Sequence, residues 1–486
     1  MLAKAKLDME VYREKVLKGK VLKTMLWLAW PIIVANLVNM SYNLVDAYWL
    51  GKLGRDELSA PGVSWPLIML FYSIGMGLSS AGIALISQYL GANEKELARK
   101  SAGHLFFFMI FMAITLSVIG FFLSPYILAL MGVPPDVYPY AVKYIKIIFV
   151  GIPIAFAGFS VSAMFSAIGD TKTPMILGIV SSVINIVLDP LFIFGYHIDF
   201  RYTQFRIPRL GVLGAAIATV ISRSILSIVG LVLLAKGFRG LRIKLSDAKI
   251  ESWWIRKVVE IGTPISIQRA ANSMGFVIMM SIVSRFGSIA TAAYVIGIRV
   301  IDVIQSFTWG IMRASAIMVG QTIGAEMYSR AREIAKKGTI FIASILAIGT
   351  AIIVLFRSQL VAFFIPEDPA VIAEGSRMLL LFAPSIPLFG IFFFVGGIAQ
   401  GSGHVKAYTI ISIARLWLFR IGLSILLALI FSIGLVGVWI AMSISNIFAG
   451  IVSLAWLSRG AWLKRVIEIP TSRITKTETK VIIDGD

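Results

Sequence analysis

The chain has no cysteine among its 486 residues. Disulfides and thiolate metal sites are therefore excluded. Charge is scarce as well. Charged residues make up 14% of the chain, against about a quarter in a soluble domain. Acids are the scarcer sign, at 25 Asp and Glu against 45 Lys and Arg. No G-x-x-x-x-G-K-[ST] loop occurs, which removes ATP hydrolysis within this chain as an energy source. The three histidines, His104, His197 and His404, are scattered without metal-ligand spacing. No Ser-His-Asp arrangement is readable, so an enzyme is not expected. No resident cofactor is expected either.

What is abundant is apolar surface: 58% of residues are hydrophobic. A soluble core does not need that much, but a lipid-facing bundle does. Apolar segments fall near 24–50, 59–90, 102–128, 138–165, 172–195, 212–236, 254–286, 289–322, 337–358, 371–399, 405–431 and 435–459. Alternating ten-residue strands are missing, which argues against a β-barrel. The expected class is an all-α integral membrane protein of twelve transmembrane helices. The N-terminal stretch is charged and runs straight into a long span, so it is no cleaved signal peptide.

The net charge of +20 lies in short connectors rather than on a nucleic-acid face. Lys4, Lys6, Arg13, Lys15, Lys18, Lys20 and Lys23 precede the first span. Lys95, Arg99 and Lys100, then Lys236 to Lys249, Arg330 to Lys337, and Lys464 to Lys476 share that side. The other side receives few: Lys52, Arg55, Arg201, Arg206, Arg209, Arg285 and Arg357. The positive-inside rule then places both termini of a multi-pass membrane protein in the cytoplasm.

The chain repeats itself. With a shift of 233 positions, Pro31 meets Pro264, Asn39 meets Asn272 and Gly77 meets Gly310. Gln88-x-x-Gly91-Ala92 likewise meets Gln321-x-x-Gly324-Ala325. Later, Pro153 meets Pro387, Gly169 meets Gly403, and Gly211-x-x-Gly214 meets Gly434-x-x-Gly437, the loop 196–210 accounting for the lost register. Two homologous six-helix lobes follow, a parallel repeat with a site between or within the halves. The expected organisation is a cytoplasmic segment 1–23, lobe 1 at 24–236, a linker 237–253, lobe 2 at 254–459 and a tail 460–486.

Intramembrane polar residues are costly and ask for a reason. In lobe 1, Asn39, Asn43 and Asp46 share one helical face, with Tyr42 beside them. Ser182, Asn185 and Asp189 share another. Tyr144 and Thr219 can face the same interior. Such carboxylates take up a proton or are neutralised by a cation. Na⁺ held by Asp46, Asn185, Asp189 and Thr219 suits the oxygens as well as H⁺ does. The plainer alternative is that Asp46 and Asp189 sit near outer helix ends and are merely hydrated. The repeat puts Met279 opposite Asp46, Leu423 opposite Asp189 and Phe419 opposite Asn185, so the constellation belongs to one lobe. Lobe 2 carries Arg269, Arg299, Asp302, Arg313, Arg415 and Arg420 instead. Arg299 and Asp302 have i, i+3 spacing and are expected to pair within a structural or gating network. Pro31 frees a carbonyl and serves either as a static kink or as a hinge.

The repeat, the Pro31 helix, the two Gln-x-x-Gly-Ala helix ends and Asn185-x-x-x-Asp189-Pro190 together resemble the multidrug and toxic compound extrusion (MATE) family, in its DinF-like branch. The resemblance covers nearly the whole chain. It implies a cation-coupled antiporter that expels amphipathic, often cationic compounds. It implies a coupling site of Asp46, Asn185 and Asp189, with Tyr144 and Thr219 as the fourth- and sixth-helix partners. The NorM-like branch has an acidic residue after the seventh-helix proline; here Ala271 and Asn272 stand there, against a NorM-like second-lobe cation site. A lipid or polysaccharide-precursor flippase remains open, favoured by the lobe 2 arginines. So does an ion channel, although no filter segment is visible. The expected partners are the bilayer and a small amphipathic substrate, handled by a monomer.

Overall fold

The computed structural model describes residues 2–200 and 203–468; side chains are described outside 2–8 and 197–207. The expected tail beyond residue 468 lies outside the described residues. Backbone groups in hydrocarbon must bond within their own segment, so the apolar runs wind into long helices. After an amphipathic helix α1 (Leu2–Lys18), lobe 1 contains α2 (Val21–Gly51), α3 (Arg55–Gly91) and α4 (Lys95–Leu130). The bent pair α5 (Tyr138–Val150) and α6 (Ile152–Ile168) follows, then α7 (Lys172–Phe194). An antiparallel hairpin, β1 (Tyr196–Phe200) and β2 (Thr203–Ile207), fills the longer loop before α8 (Val212–Ala235). The sequence pattern gives no warning of this hairpin, since its strands are five residues long and lie outside the spans.

Lobe 2 repeats the plan. It has α9 (Ser252–Ser284), α10 (Ser288–Gly324), α11 (Tyr328–Leu355), the short α12 (Arg357–Ala362) and the successive α13 (Pro369–Phe382) and α14 (Ile386–Ser402). α15 (Val405–Ile413) runs into π-helical segments at Ala414–Gly422 and Ile425–Ile430. α16 (Leu435–Ser458) closes the bundle. Among the described residues, ten spans are long and apolar enough to cross a membrane, and α5 with α6, bent by 48°, makes an eleventh. The twelfth is α9, whose 33 residues include Arg256, Lys257, Glu260 and Arg269.

The repeat shows in local geometry. α6 and α14 both end on a left-handed glycine, Gly169 and Gly403, with φ of 106° and 80°. A side chain there would strain the turn. The lobes meet through α3 against α9, α2 against α10, and α3 against α10. A Cβ on Gly77 would sit 2.5 Å from the Gly262 carbonyl, and one on Gly310 would sit 3.1 Å from that of Ala29. Ala29 and Gly262 are themselves repeat partners.

Nearer the chain termini the same reciprocity tightens into a clasp. Gly91 lies against the Gln321 backbone and Gly324 against that of Gln88. Gln88 Nε2 donates to the Gly401 and Ser402 carbonyls, both at 3.1 Å. Gln321 Nε2 donates to the Ala167 and Ile168 carbonyls at 2.9 and 3.1 Å. Each glutamine thus caps a helix of the opposite lobe. Arg13 on α1 closes the end of α3, donating to Leu90 and Gly91 carbonyls at 2.9 Å. Arg465 closes α10 in the same manner, through Ile323 and Gly324. From Gly77 to Gly91, α3 is buried at every residue, and α10 is buried at every residue from Ala314 to Gly324. Among the described residues, inter-lobe hydrogen bonds reach out from this end only as far as Ser266 to the Ile74 carbonyl and Arg269 to Met76. Beyond that level, among the described residues, the lobes hold no hydrogen bond, ion pair or ring contact in common.

The linker is docked as well. Asp247 takes Arg99 at 2.8 Å, and His104 bonds the Asp247 carbonyl at 2.8 Å. His104 is therefore a packing residue of α4.

Candidate functional site: a carboxylate pocket in lobe 1 and a cationic interior in lobe 2

On α7, residues four apart fall on one face, and Ser181, Asn185 and Asp189 form its buried stripe. Asp189 is fully buried and Asn185 is 2% exposed, which dismisses the reading of Asp189 as a hydrated helix-end acid. Asn185 Nδ2 donates to Asp189 Oδ1 at 3.2 Å. Ser181 Oγ donates to the Ser222 carbonyl at 2.6 Å and ties α7 to α8. Ser182, expected on one face with Asn185 and Asp189, lies half-buried next to that contact.

α2 packs against α7 and delivers Asp46 to the same interior. Asp46 and Asp189 interact electrostatically, and Tyr144 from α5 senses Asp46. Four of the five expected coupling residues, Asp46, Asn185, Asp189 and Tyr144, are thus gathered. Thr219 on α8 is buried at 8% exposure, one helical turn before Arg223. Three oxygens here are buried with no hydrogen-bond partner: Asp46 Oδ1, Asn185 Oδ1 and Asp189 Oδ2. Buried acceptors are ordinarily satisfied, so three orphans in one pocket mark a place for a donor or a cation. No group of three His, Cys, Asp or Glu side chains capable of holding a metal occurs among the described residues. A Na⁺ here would rest on mixed carboxylate and amide oxygens.

Arg223 is the pocket residue the sequence reading missed. It lies in the middle of α8, and a lone charge at the centre of an apolar span was the available signal. It donates to Tyr72 Oη at 2.5 Å and to Tyr42 Oη at 3.2 Å, and its guanidinium lies 5.5 Å from the Tyr72 ring centroid. Its field reaches Asp46 and Tyr144. The phenols, rather than a carboxylate, hold it, and both aspartates stay without an ion pair. With both ionised, Asp46, Asp189 and Arg223 sum to one negative charge, which a single monovalent cation neutralises.

Tyr42 therefore belongs to the pocket wall. Asn39 and Asn43, on the same helix, are exposed. Pro31 is buried inside an unbroken α2.

Lobe 2 differs. Arg299 is exposed while Asp302 turns inward, and the two form no ion pair, contrary to the expectation from their spacing. The same spacing closes at Glu374 and Arg377, 3.2 Å apart, where both side chains point along one face. The inner arginines are not a network of paired charges either. Arg420 donates to Ser445 Oγ at 3.1 Å and to Asn446 Oδ1 at 2.8 Å. Arg415 lies over the Phe389 and Phe392 rings at 5.0 and 5.4 Å. Arg269 reaches only Met76 Sδ, at 3.6 Å. None of these, nor Arg313, has an ion-pair partner among the described residues.

The MatE family model matches residues 31–191 and 264–426, two thirds of the chain, in two blocks that begin at Pro31 and Pro264. A probable multidrug resistance protein, YoeA of Bacillus subtilis, is 29% identical over 441 residues, covering 89% of this chain and 93% of the relative. A probable multidrug resistance protein NorM of Thermotoga maritima is 27% identical over 461 residues, covering 92% and 94%. A crystal structure of a MATE protein in its bent conformation superposes with a TM-score of 0.84 at 23% identity, covering 93% of this chain and 98% of that one. The duplicated match and the twelve-helix, two-lobe architecture agree: the chain belongs to the MATE family of membrane transporters.

Proposed function

We propose that the protein is a cation-coupled antiporter that exports amphipathic compounds by alternating access, with H⁺ or Na⁺ taken up in the lobe 1 pocket. Three orphaned oxygens on Asp46, Asn185 and Asp189 carry this reading. The local sum of one negative charge makes uptake of one monovalent cation the neutral state, and burial makes neutrality strongly preferred. The clasp closes the end that carries α1 and Arg465, which the charge rule places on the cytoplasmic side, and the bacterial relatives support a prokaryotic cell membrane. In that orientation the pocket is reached from outside, where the driving ion enters. Pro31, on the helix that bears Asp46, is the hinge candidate: its missing N–H lets α2 bend at one turn. One chain supplies both lobes, so a monomer suffices. The names of the relatives support multidrug compounds as cargo.

The test is dye efflux from proteoliposomes with a pH gradient and a Na⁺ gradient imposed separately. One of the gradients drives efflux, and Asp46→Asn and Asp189→Asn remove the dependence. Efflux undiminished in both variants refutes the mechanism. The second reading, a flippase for a lipid or polysaccharide precursor, is favoured by one observation: the inner arginines of lobe 2 have no carboxylate partner among the described residues.

A further inference from the structure

Lobe 2 holds a run of arginines that have no carboxylate partner among the described residues; Arg420 alone of them meets polar side chains of its own lobe, Ser445 and Asn446. Arg269 on α9 and Arg313 on α10 lie close enough to repel each other. Arg415 and Arg420 repel as well. The Tyr408 hydroxyl feels both Arg269 and Arg415 and joins the two pairs into one cluster. Arg415 is buried and Arg269, Arg313 and Arg420 are half-buried; a cation withdrawn from water without a counter-ion is unfavourable, so a lobe that keeps one has a use for it.

Arg415 is the centre of the argument. It is 5% exposed, and its Nε and Nη1 have no hydrogen-bond partner. The Arg269 Nε is unpartnered too. Gln268, which donates to Ser412 Oγ at 3.0 Å, lies beside the buried Tyr408 hydroxyl. Arg269 also touches Met76 of lobe 1, at the level where the lobes part. The cluster therefore runs from the outermost of the inter-lobe hydrogen bonds into the lobe.

The backbone is wound for this cluster. Residues five apart on an α-helix point about 140° apart. Over Ala414–Gly422 the helix is π-wound, and i, i+5 hydrogen bonding stacks such residues on one side. Arg415 and Arg420 are five apart, and the winding brings like charges together. Without a ligand this only adds repulsion.

The surroundings define the ligand further. Phe392 stacks on Tyr408 at 4.8 Å, and Phe389 meets Phe393 edge-on at 4.7 Å. An apolar bed thus lies directly beneath the Arg415 guanidinium. Guanidinium forks match the oxygens of phosphate and carboxylate groups, and the rings match a hydrocarbon or aromatic body.

We infer that the interior of lobe 2 around Arg415, Arg269 and Tyr408 is a binding site for an anionic amphipath, a phosphate or carboxylate head on an apolar body. The site deepens the transport reading, because it gives the cargo a polarity opposite to that of the coupling ion. Binding itself does not depend on coupling in lobe 1.

The experiment uses the full chain in phosphatidylcholine nanodiscs, titrated with dodecyl phosphate and followed by calorimetry. Dodecyl phosphate binds the parent protein, and Arg415→Gln and Arg269→Gln each weaken it about tenfold, as loss of a charge-assisted contact requires. Arg415→Lys, which keeps the charge, retains most of the binding and shows that the effect is not misfolding. Displacement by phosphatidic acid in the nanodisc assigns the site to a membrane lipid; displacement by inorganic phosphate assigns it to a water-soluble anion. Either result supports the site. Unchanged affinity in both glutamine variants, no binding to the parent, or displacement by dodecyltrimethylammonium overturns it. Asp46→Asn separates the two proposals: it stops gradient-driven efflux if coupling is correct, yet leaves dodecyl phosphate binding intact.

Discussion

The same six-helix plan is used twice, and the two copies carry opposite electrical content. In lobe 1 the fifth span is a regular α-helix, and its inward stripe is Ser181, Asn185 and Asp189. In lobe 2 the equivalent span is π-wound and presents Arg415 and Arg420. The sixth spans diverge in step. Arg223 of α8 stands where α16 has Asn446, and that asparagine accepts from Arg420. Helix number, turn positions and inter-lobe contacts were kept through the divergence; interior charge was not. Packing is therefore the shared property of the halves, and chemistry the private one.

The largest expected effect breaks the private part. Asp189→Asn brings gradient-driven efflux down to that of empty liposomes, and adding Leu423→Asp in lobe 2 does not restore it. Restoration would mean that the lobes are interchangeable, which dye efflux under each gradient decides. The next effect breaks the shared part. Gly91→Val and Gly324→Val each push a side chain into the glutamine backbone opposite and lose about 1–3 kcal/mol of stability by overpacking. The two losses should be equal within error in thermal unfolding; a one-sided effect would show that the clasp is not symmetric in energy. Arg13→Ala and Arg465→Ala are milder, about 1–2 kcal/mol each for the lost carbonyl contacts. The smallest effect sharpens the comparison at one turn. After α6 stands Asp170, paired with Arg239 at 3.0 Å; after α14 stands His404. Burial, with Lys464 nearby, holds His404 below its ordinary value. Its unfolded form takes a proton more readily, so stability falls as pH drops through the ordinary histidine range. His404→Asn should flatten that acid limb of the unfolding temperature between about pH 7 and 5. An unchanged limb assigns the sensitivity elsewhere.

Much of this was legible in the chain. Lipid forces helices, and an internal match that loses register only at connecting loops forces like lobes, so the topology followed from hydropathy and spacing. Asp46, Asn185 and Asp189 were visible because an acid in an apolar run is rare enough to stand out. Arg223 stands out as the lone charge of its span, but no partner within helical spacing on α8 signals its role. Other features had no sequence signal of that strength. The π winding at Ala414–Gly422 follows no residue pattern that hydropathy or spacing reads. The failure of Arg299 to meet Asp302 depends on which way each turns from α10. The docking of α1 was hidden because its charged sequence reads as a solvated leader, while Met9, Val16 and Leu17 are buried.

The clasp has a consequence for how the halves hold together. Gln88 closes a helix of lobe 2 and Gln321 closes one of lobe 1, each against the other's glycine. In assemblies of identical subunits this is an isologous interface, in which surface i meets j while j meets i. Here it is enclosed in one polypeptide. The linker at 237–253 need not specify how the lobes dock, since the docking information is written twice in the lobes themselves. A chain cut between Lys236 and Ser252 would present two fragments that already carry each other's missing helix caps.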